Sequence, residues 1–241
     1  MNLFDNEQYV CKICGFNIIG YFPERCPFCG ALNVNFITAE NCSENYKVLE
    51  AKVTNKVMRL ISTPPLGLEH TAYSIKTGEQ VIWIDCPSTF DSSLEKMDKI
   101  IFTHHHFLGA SNLYRSYNTA FVWIHIEDSK HVMSKKHPFD KKFDTDFQIS
   151  GIKAYHIDGH TPGFTFYTYE DIIFVCDYVS ISEGKMKFNP YGPQLKTIEG
   201  GRAIRKLLEN GQYQKVCGFD YVAGFSEWMS LLDDLLNFSN N

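Results

Sequence analysis

At 241 residues, 44% of them hydrophobic and including 19 Phe and 13 Tyr, the chain can build a substantial core, which excludes global disorder. A net charge of -5 without any basic run excludes general attraction to nucleic acid or anionic lipid. No stretch has the length of a bilayer span and the first residues lack the pattern of a secretion signal, so no membrane association and a cytoplasmic location are expected.

The first motif in chain order is a pair of cysteine knuckles, Cys11-Lys-Ile-Cys14-Gly and Cys26-Pro-Phe-Cys29-Gly, separated by eleven residues. Four thiolates so spaced form a tetrahedral cage for one iron or zinc ion. Residues 1–38 read as a small metal module. Fewer than roughly 40 residues rarely bury enough surface to fold alone, so the ion should carry most of its stability. Loss of Cys11 is then expected to unfold the module and leave the rest of the chain folded. Cys42, Cys86, Cys176 and Cys217 stand singly. The last three lie in apolar, strand-like runs and read as core thiols, and free thiols beside a thiolate site suit a reducing compartment.

The polar stretch 39–45 reads as a linker, and 46–241 as the larger domain, in which strands and helices alternate. The runs 81–84, 99–102 and 121–124 read as buried strands, and 164–169 with 172–176 as a hairpin. Helices are expected over 91–98, 111–117, 127–135 and 197–209, the last closed by Gly211. A final helix places Trp228, Leu231, Leu232 and Leu235 on one face, a stripe suited to packing on a sheet.

Three of these strands end in residues able to bind metal. After 99–102 come Thr103, His104, His105 and His106; after 154–157 comes the turn Gly159-His160-Thr161-Pro162-Gly163; after 173–176 comes Asp177. A rigid scaffold presents side chains at such strand ends. His104, His106 and His160 are read as ligands, and Asp177 as a ligand or a hydrogen-bonding support. His105 alternates away and reads as a surface or packing residue. His70 is placed either at a cleft mouth or in an ordinary structural role, while His125, His131, His137 and His156 show no convergent spacing. The cluster 189–193 reads equally as a pocket wall or a plain turn.

In this order the motifs resemble those of the metallo-β-lactamase fold superfamily, with a strand-ending Asp85, a T-H-x-H loop, the G-H-T-P-G turn and a later strand-ending Asp177. The resemblance implies an α/β fold, an αββα sandwich, with His104, His106 and His160 at the first metal site. Asp177 then matches the carboxylate that bridges two metals, and Asp85 a structural residue beneath the site. The chain departs from the family where Asp-His should follow His106: it runs Phe107-Leu108-Gly109-Ala110. Phe219 stands near the place of the family's last histidine, and the adjacent Asp220 is expected on the other face of its strand. A mononuclear centre is therefore expected.

The cysteine module resembles the short rubredoxin domains of rubrerythrins, sharing Tyr9 before the first knuckle, a glycine after each pair and Pro27 after Cys26. Iron is the preferred occupant, with a structural zinc ribbon as the alternative. For the histidine site the alternatives stay open. Three imidazoles with an open position suit zinc and a hydrolytic water. His104, His160 and Asp177 as a two-histidine, one-carboxylate face suit ferrous iron; the persulfide dioxygenases resemble that case but keep the Asp-His missing here. The leading expectation is an enzyme, an oxidoreductase acting on a small molecule, in which the cysteine centre serves a mononuclear site and a redox protein supplies electrons. Flavodiiron proteins are similar in that logic, though this chain lacks their dinuclear ligands and flavodoxin domain. A mononuclear zinc hydrolase of thioesters, lactones or phosphoesters is the alternative, and a degenerate, non-catalytic binding protein the third.

Overall fold

Residues 3–4, 6–68, 71–78 and 80–238 are described by the computed structural model. They fall into two units, Met1–Phe143 and Asp144–Asn241. His70 lies outside the described residues.

The first unit opens with a three-stranded antiparallel sheet, β1 (Gln8–Cys11), β2 (Asn17–Ile19) and β3 (Phe36–Thr38), in the order β2-β1-β3. Thr38 then caps α1 (Ala39–Asn45), its hydroxyl accepting the Asn41 N–H at 3.2 Å. The stretch expected as a linker is thus a helix, which buries Ala39 and Cys42. Strands β4 (Lys47–Lys52), β5 (Val57–Thr63), β6 (Ala72–Thr77) and β7 (Gln80–Ile84) form an antiparallel meander. β8 (Lys99–Ile101), α2 (Ser111–Asn118), β9 (Phe121–His125), α3 (Ile126–Ser129) and β10 (Lys141–Phe143) follow. The seven strands run β10-β9-β8-β7-β6-β5-β4, parallel from β7 to β10. Ile82, Trp83 and Ile84 are all buried, as expected where a parallel strand is covered on both faces.

One expected helix is absent and another is cut short. Over 91–98 the chain makes turns: the Asp91 carboxylate accepts the Ser93 N–H and hydroxyl at 3.0 and 2.7 Å and the Val48 N–H at 2.9 Å. That side chain tethers another strand instead of starting a helix. Over 127–135, α3 stops after four residues and a 3-10 turn, Val132–Ser134, takes over. The Ser129 and Ser134 hydroxyls donate to the Ile126 and Asp128 carbonyls, competing with helical bonding.

The cysteine module shares the core of this unit. Val10 belongs to the same buried cluster as Ala39, Leu60, Leu66 and Trp83. A buried amide network reinforces the junction: Gln8 and Asn112 exchange two bonds, of 3.2 and 2.6 Å. Gln8 also donates to Asn17 at 2.8 Å, and Asn17 to the Ser88 carbonyl at 2.9 Å. Opposite β2, burial pushes the His137 pKa down to about 4, opposed only by the nearby Asn17 backbone. From about pH 6.5 down to about 4 the unfolded chain takes up a proton that the folded chain refuses. Stability therefore falls as pH falls through that window, by about 3 kcal/mol in all. His137→Gln should flatten the dependence, as read from urea unfolding of variant and parent between pH 7 and 4; parallel curves would contradict it.

The second unit is a six-stranded mixed sheet ordered β11-β12-β13-β14-β17-β18. Its strands are β11 (Phe147–Ile149), β12 (Ile152–His156), β13 (Thr165–Tyr169), β14 (Ile172–Cys176), β17 (Lys215–Gly218) and β18 (Val222–Gly224). β13 and β14 form the expected hairpin, and the only parallel pair in this sheet is β14 with β17. A separate hairpin, β15 (Val179–Ser182) and β16 (Lys185–Phe188), precedes α4 (Gln194–Leu208). In α5 (Phe225–Phe238), Trp228, Leu232 and Leu236 are buried, with Leu231 and Leu235 partly so. Among the described residues no helix is long and apolar enough to cross a membrane.

Candidate metal centres

The four sulfurs of Cys11, Cys14, Cys26 and Cys29 lie within 4.8 Å of one another, with pairs at 3.6 and 3.7 Å. Ligands about 2.3 Å from a tetrahedral ion stand about 3.8 Å apart, so the cage fits a thiolate-bound ion. No disulfide links these residues. Each knuckle turns its amides inward: the Ile13 and Cys14 N–H groups face Cys11, and those of Phe28 and Cys29 face Cys26. Bonds from Cys14 and Cys26 pull the Cys11 thiol down to about 2, while the Cys26 thiol is pushed up to about 12 and Cys14 is also raised. Thiols must lose their protons to bind a cation, so loading such a cage is coupled to proton release.

In the first unit, Asp85 ends β7 with φ 60° and turns its carboxylate beneath the next strand end. Its oxygens accept the Thr103 N–H at 2.9 Å and the hydroxyl at 3.0 and 2.9 Å. The same hydroxyl oxygen lies 3.0 Å from His104 Nδ1. With its proton given to Asp85, this oxygen accepts Nδ1–H and leaves Nε2 as the free lone pair. His104 Nε2 is 3.0 Å from His106 Nδ1. Nitrogens bound to one ion at about 2.0–2.1 Å stand about 2.9–3.4 Å apart for bond angles between 90° and 109°, so the pair is spaced as a chelate.

Of the two roles expected for His105, surface or packing, the structure gives packing, although not by strand alternation, because 105–107 is a 3-10 turn. Its ring is buried, with Nδ1 bonded to the buried Asp128 and its face stacked on His131 at 3.8 Å. Neither Asp128 nor His131 carried a sequence signal, since both lie in the stretch misread as one helix.

In the second unit, His160 Nε2 and Asp177 Oδ2 are 3.6 Å apart, and both residues are buried. One ion at about 2.0–2.1 Å from each would subtend an angle of about 120°. Loop 189–193 holds both, resolving the two readings of that cluster. Asn189 Nδ2 donates to Asp177 Oδ2 at 2.7 Å and to the Asp177 carbonyl at 3.0 Å. At Gly192 a Cβ would stand 2.6 Å from the His160 carbonyl oxygen and 2.9 Å from its Cα. Gly192→Val should therefore displace His160 and weaken metal binding there by roughly 10–100-fold, the usual cost of disturbing a ligand's support. Zinc competition titration would check it; unchanged affinity would leave the loop a spectator.

Phe107 and Leu108, standing where the resemblance implies a second set of ligands, are apolar and buried. Asp220 is exposed and lies past the end of β17, where Phe219 N–H donates to the Cys176 carbonyl at 2.9 Å. It does not lie on a strand face as expected.

No protein-family model matches this chain, and no curated protein matches it. Solved structures resemble it in fold. VMB-1, crystallised at pH 5.5, aligns with TM-score 0.64 at 14% identity, over 81% of this chain and 99% of its own. The metallo-β-lactamase from Pontibacter korlensis aligns with TM-score 0.61 at 14% identity, over 78% and 100%. The metallo-β-lactamase FIM-1 from Pseudomonas aeruginosa, in its mono-zinc form, aligns with TM-score 0.61 at 10% identity, over 80% and 96%.

Proposed function

We propose that this chain, whose fold is that of the metallo-β-lactamases with a small four-cysteine module at its start, is an oxidoreductase in which the cysteine centre serves a mononuclear metal site. His104, His106, His160 and Asp177 would hold that ion, each offering one ligand atom. The observation that carries the redox reading lies within the first unit: Phe28, between cage residues Cys26 and Cys29, places its ring 5.2 Å from that of His106. A structural cage gains nothing from lying so close to a ligand, whereas a centre that passes electrons to the site does.

When bound, iron at four thiolates supplies a one-electron couple, and a non-haem ion with open positions supplies a place for a small oxidant or sulfur compound. The chain's own residues do the positioning. Thr103 and Asp85 fix the His104 tautomer, Asn189 fixes the Asp177 carboxylate, and Phe107 with Leu108 supports a single ion by removing ligands for a second. Electrons would come from a redox protein in a reducing compartment.

The mono-zinc form of FIM-1 favours a second reading, a zinc hydrolase with a structural zinc cage. Anomalous scattering at the iron and zinc edges, on crystals of protein from its native source, separates the two. The expected result is iron in the cage, one ion at the histidines, and visible absorption that bleaches reversibly on reduction. Zinc in both places without that absorption would overturn the redox reading, and two ions at the histidines would overturn mononuclearity. His160→Ala should empty the histidine site and leave the cage loaded.

A further inference from the structure

We propose that Phe28 is a positioning residue for His106, so that an ion in the cysteine cage tightens metal binding at the histidines and the reverse. The inference rests on the reading of His106 as a ligand, and it concerns energetic coupling, whatever the reaction.

Phe28 cannot move independently of the cage. It lies between two ligands, its own N–H faces the Cys26 sulfur, and its ring stacks on Phe16 at 6.1 Å and 19°. An ion that closes the four thiolates fixes this knuckle, and with it the direction of the ring. His106 needs such a support. It is less buried than His104 and sits on a 3-10 turn, where its ring meets His104, His105 and Phe107 from its own segment at 4.7, 4.4 and 6.3 Å. Phe28, tilted at 55°, meets that ring from outside the segment. His104 is oriented by a hydrogen bond to Thr103, and the Phe28 ring adds an aromatic wall on His106. A ring held with Nδ1 toward His104 loses less freedom on metal binding than one that swings.

An aromatic contact of this kind changes affinity by about 2- to 12-fold. Coupling is reciprocal, so an ion at the histidines must tighten the cage by the same factor. The test uses the full chain with zinc as the probe and chelator competition for both affinities. Cobalt substitution separates thiolate charge-transfer bands from the ligand-field bands of the histidine site. In Phe28→Ala and Phe28→Leu with loaded cages, histidine-site affinity should drop within that range and its cobalt bands shift; Phe28→Tyr should restore both. Equal affinity and unchanged bands in Phe28→Ala, with the parent binding normally, would overturn the coupling alone. No binding at the histidines in the parent would instead overturn the site itself. Should the Phe28 variants lose the cage, His160→Ala decides, since it empties the histidine site and keeps the contact between Phe28 and His106. Zinc at the histidines should tighten the parent's cage relative to that variant's, and equal cage affinities in the two proteins would sink the proposal.

Discussion

Asp85→Ala is expected to destabilise the first unit by about 3–5 kcal/mol and to abolish ordered metal binding by His104. Its buried carboxylate accepts both the N–H and the hydroxyl of Thr103. Bonds to a charged group contribute about 1.5–3 kcal/mol each, and donors left buried without an acceptor cost more than the bonds were worth. Alanine at φ 60° adds a backbone penalty of about 1–2 kcal/mol. Asp85→Asn tolerates that conformation and keeps one acceptor, so it should lose about half as much. Urea unfolding gives the stability and zinc titration the affinity. If Asp85→Ala matched the parent in both, the relay from Asp85 through Thr103 to His104 would have no role.

Cys11→Ser should have the second large effect. A thiolate-bound ion supplies about 10–16 kcal/mol of apparent folding free energy in small zinc modules, so losing one ligand removes a large share. From the sequence, the damage was expected to stop at residue 38. The structure changes that expectation, because Val10 sits in the core of the first unit and Gln8 and Asn17 bond to Asn112 and Ser88. Opening the module uncovers part of that core. Thermal unfolding should show a lowered transition reported by Trp83, a buried member of the same cluster, and chelator added to the parent should reproduce it. A Trp83 signal indifferent to both treatments would show that the module folds alone.

Much of this was legible in the residues. The knuckles were readable because ligand spacing in a tight turn is local, and the strands ending at Asp85, His104 and Asp177 because apolar runs report burial directly. The α5 stripe was readable from its helical period. The failures share a physical cause. Asp91, Ser129 and Ser134 spend their side chains on backbone groups, which ended helices that the pattern alone extends. His105 was read as a surface or packing residue, but its partners Asp128 and His131 could not be named, because period-two reasoning does not extend past the end of β8 into a 3-10 turn. Asn189 and Gly192 were visible only as members of a cluster that read equally as a pocket wall or a plain turn. Their grip on Asp177 and His160 depends on a return of the chain that no local pattern encodes.

The buried pair Phe107 and Leu108 limits what this stretch of chain can become. Leu108 is fully enclosed in the first core, and the next residue, Gly109, has φ 49° and is pressed beneath the Cys86 and Pro87 carbonyls. A carboxylate at 107 or an imidazole at 108 would put a polar side chain into hydrocarbon while the backbone stayed pinned, so neither position can gain a metal-binding group without a loss of stability.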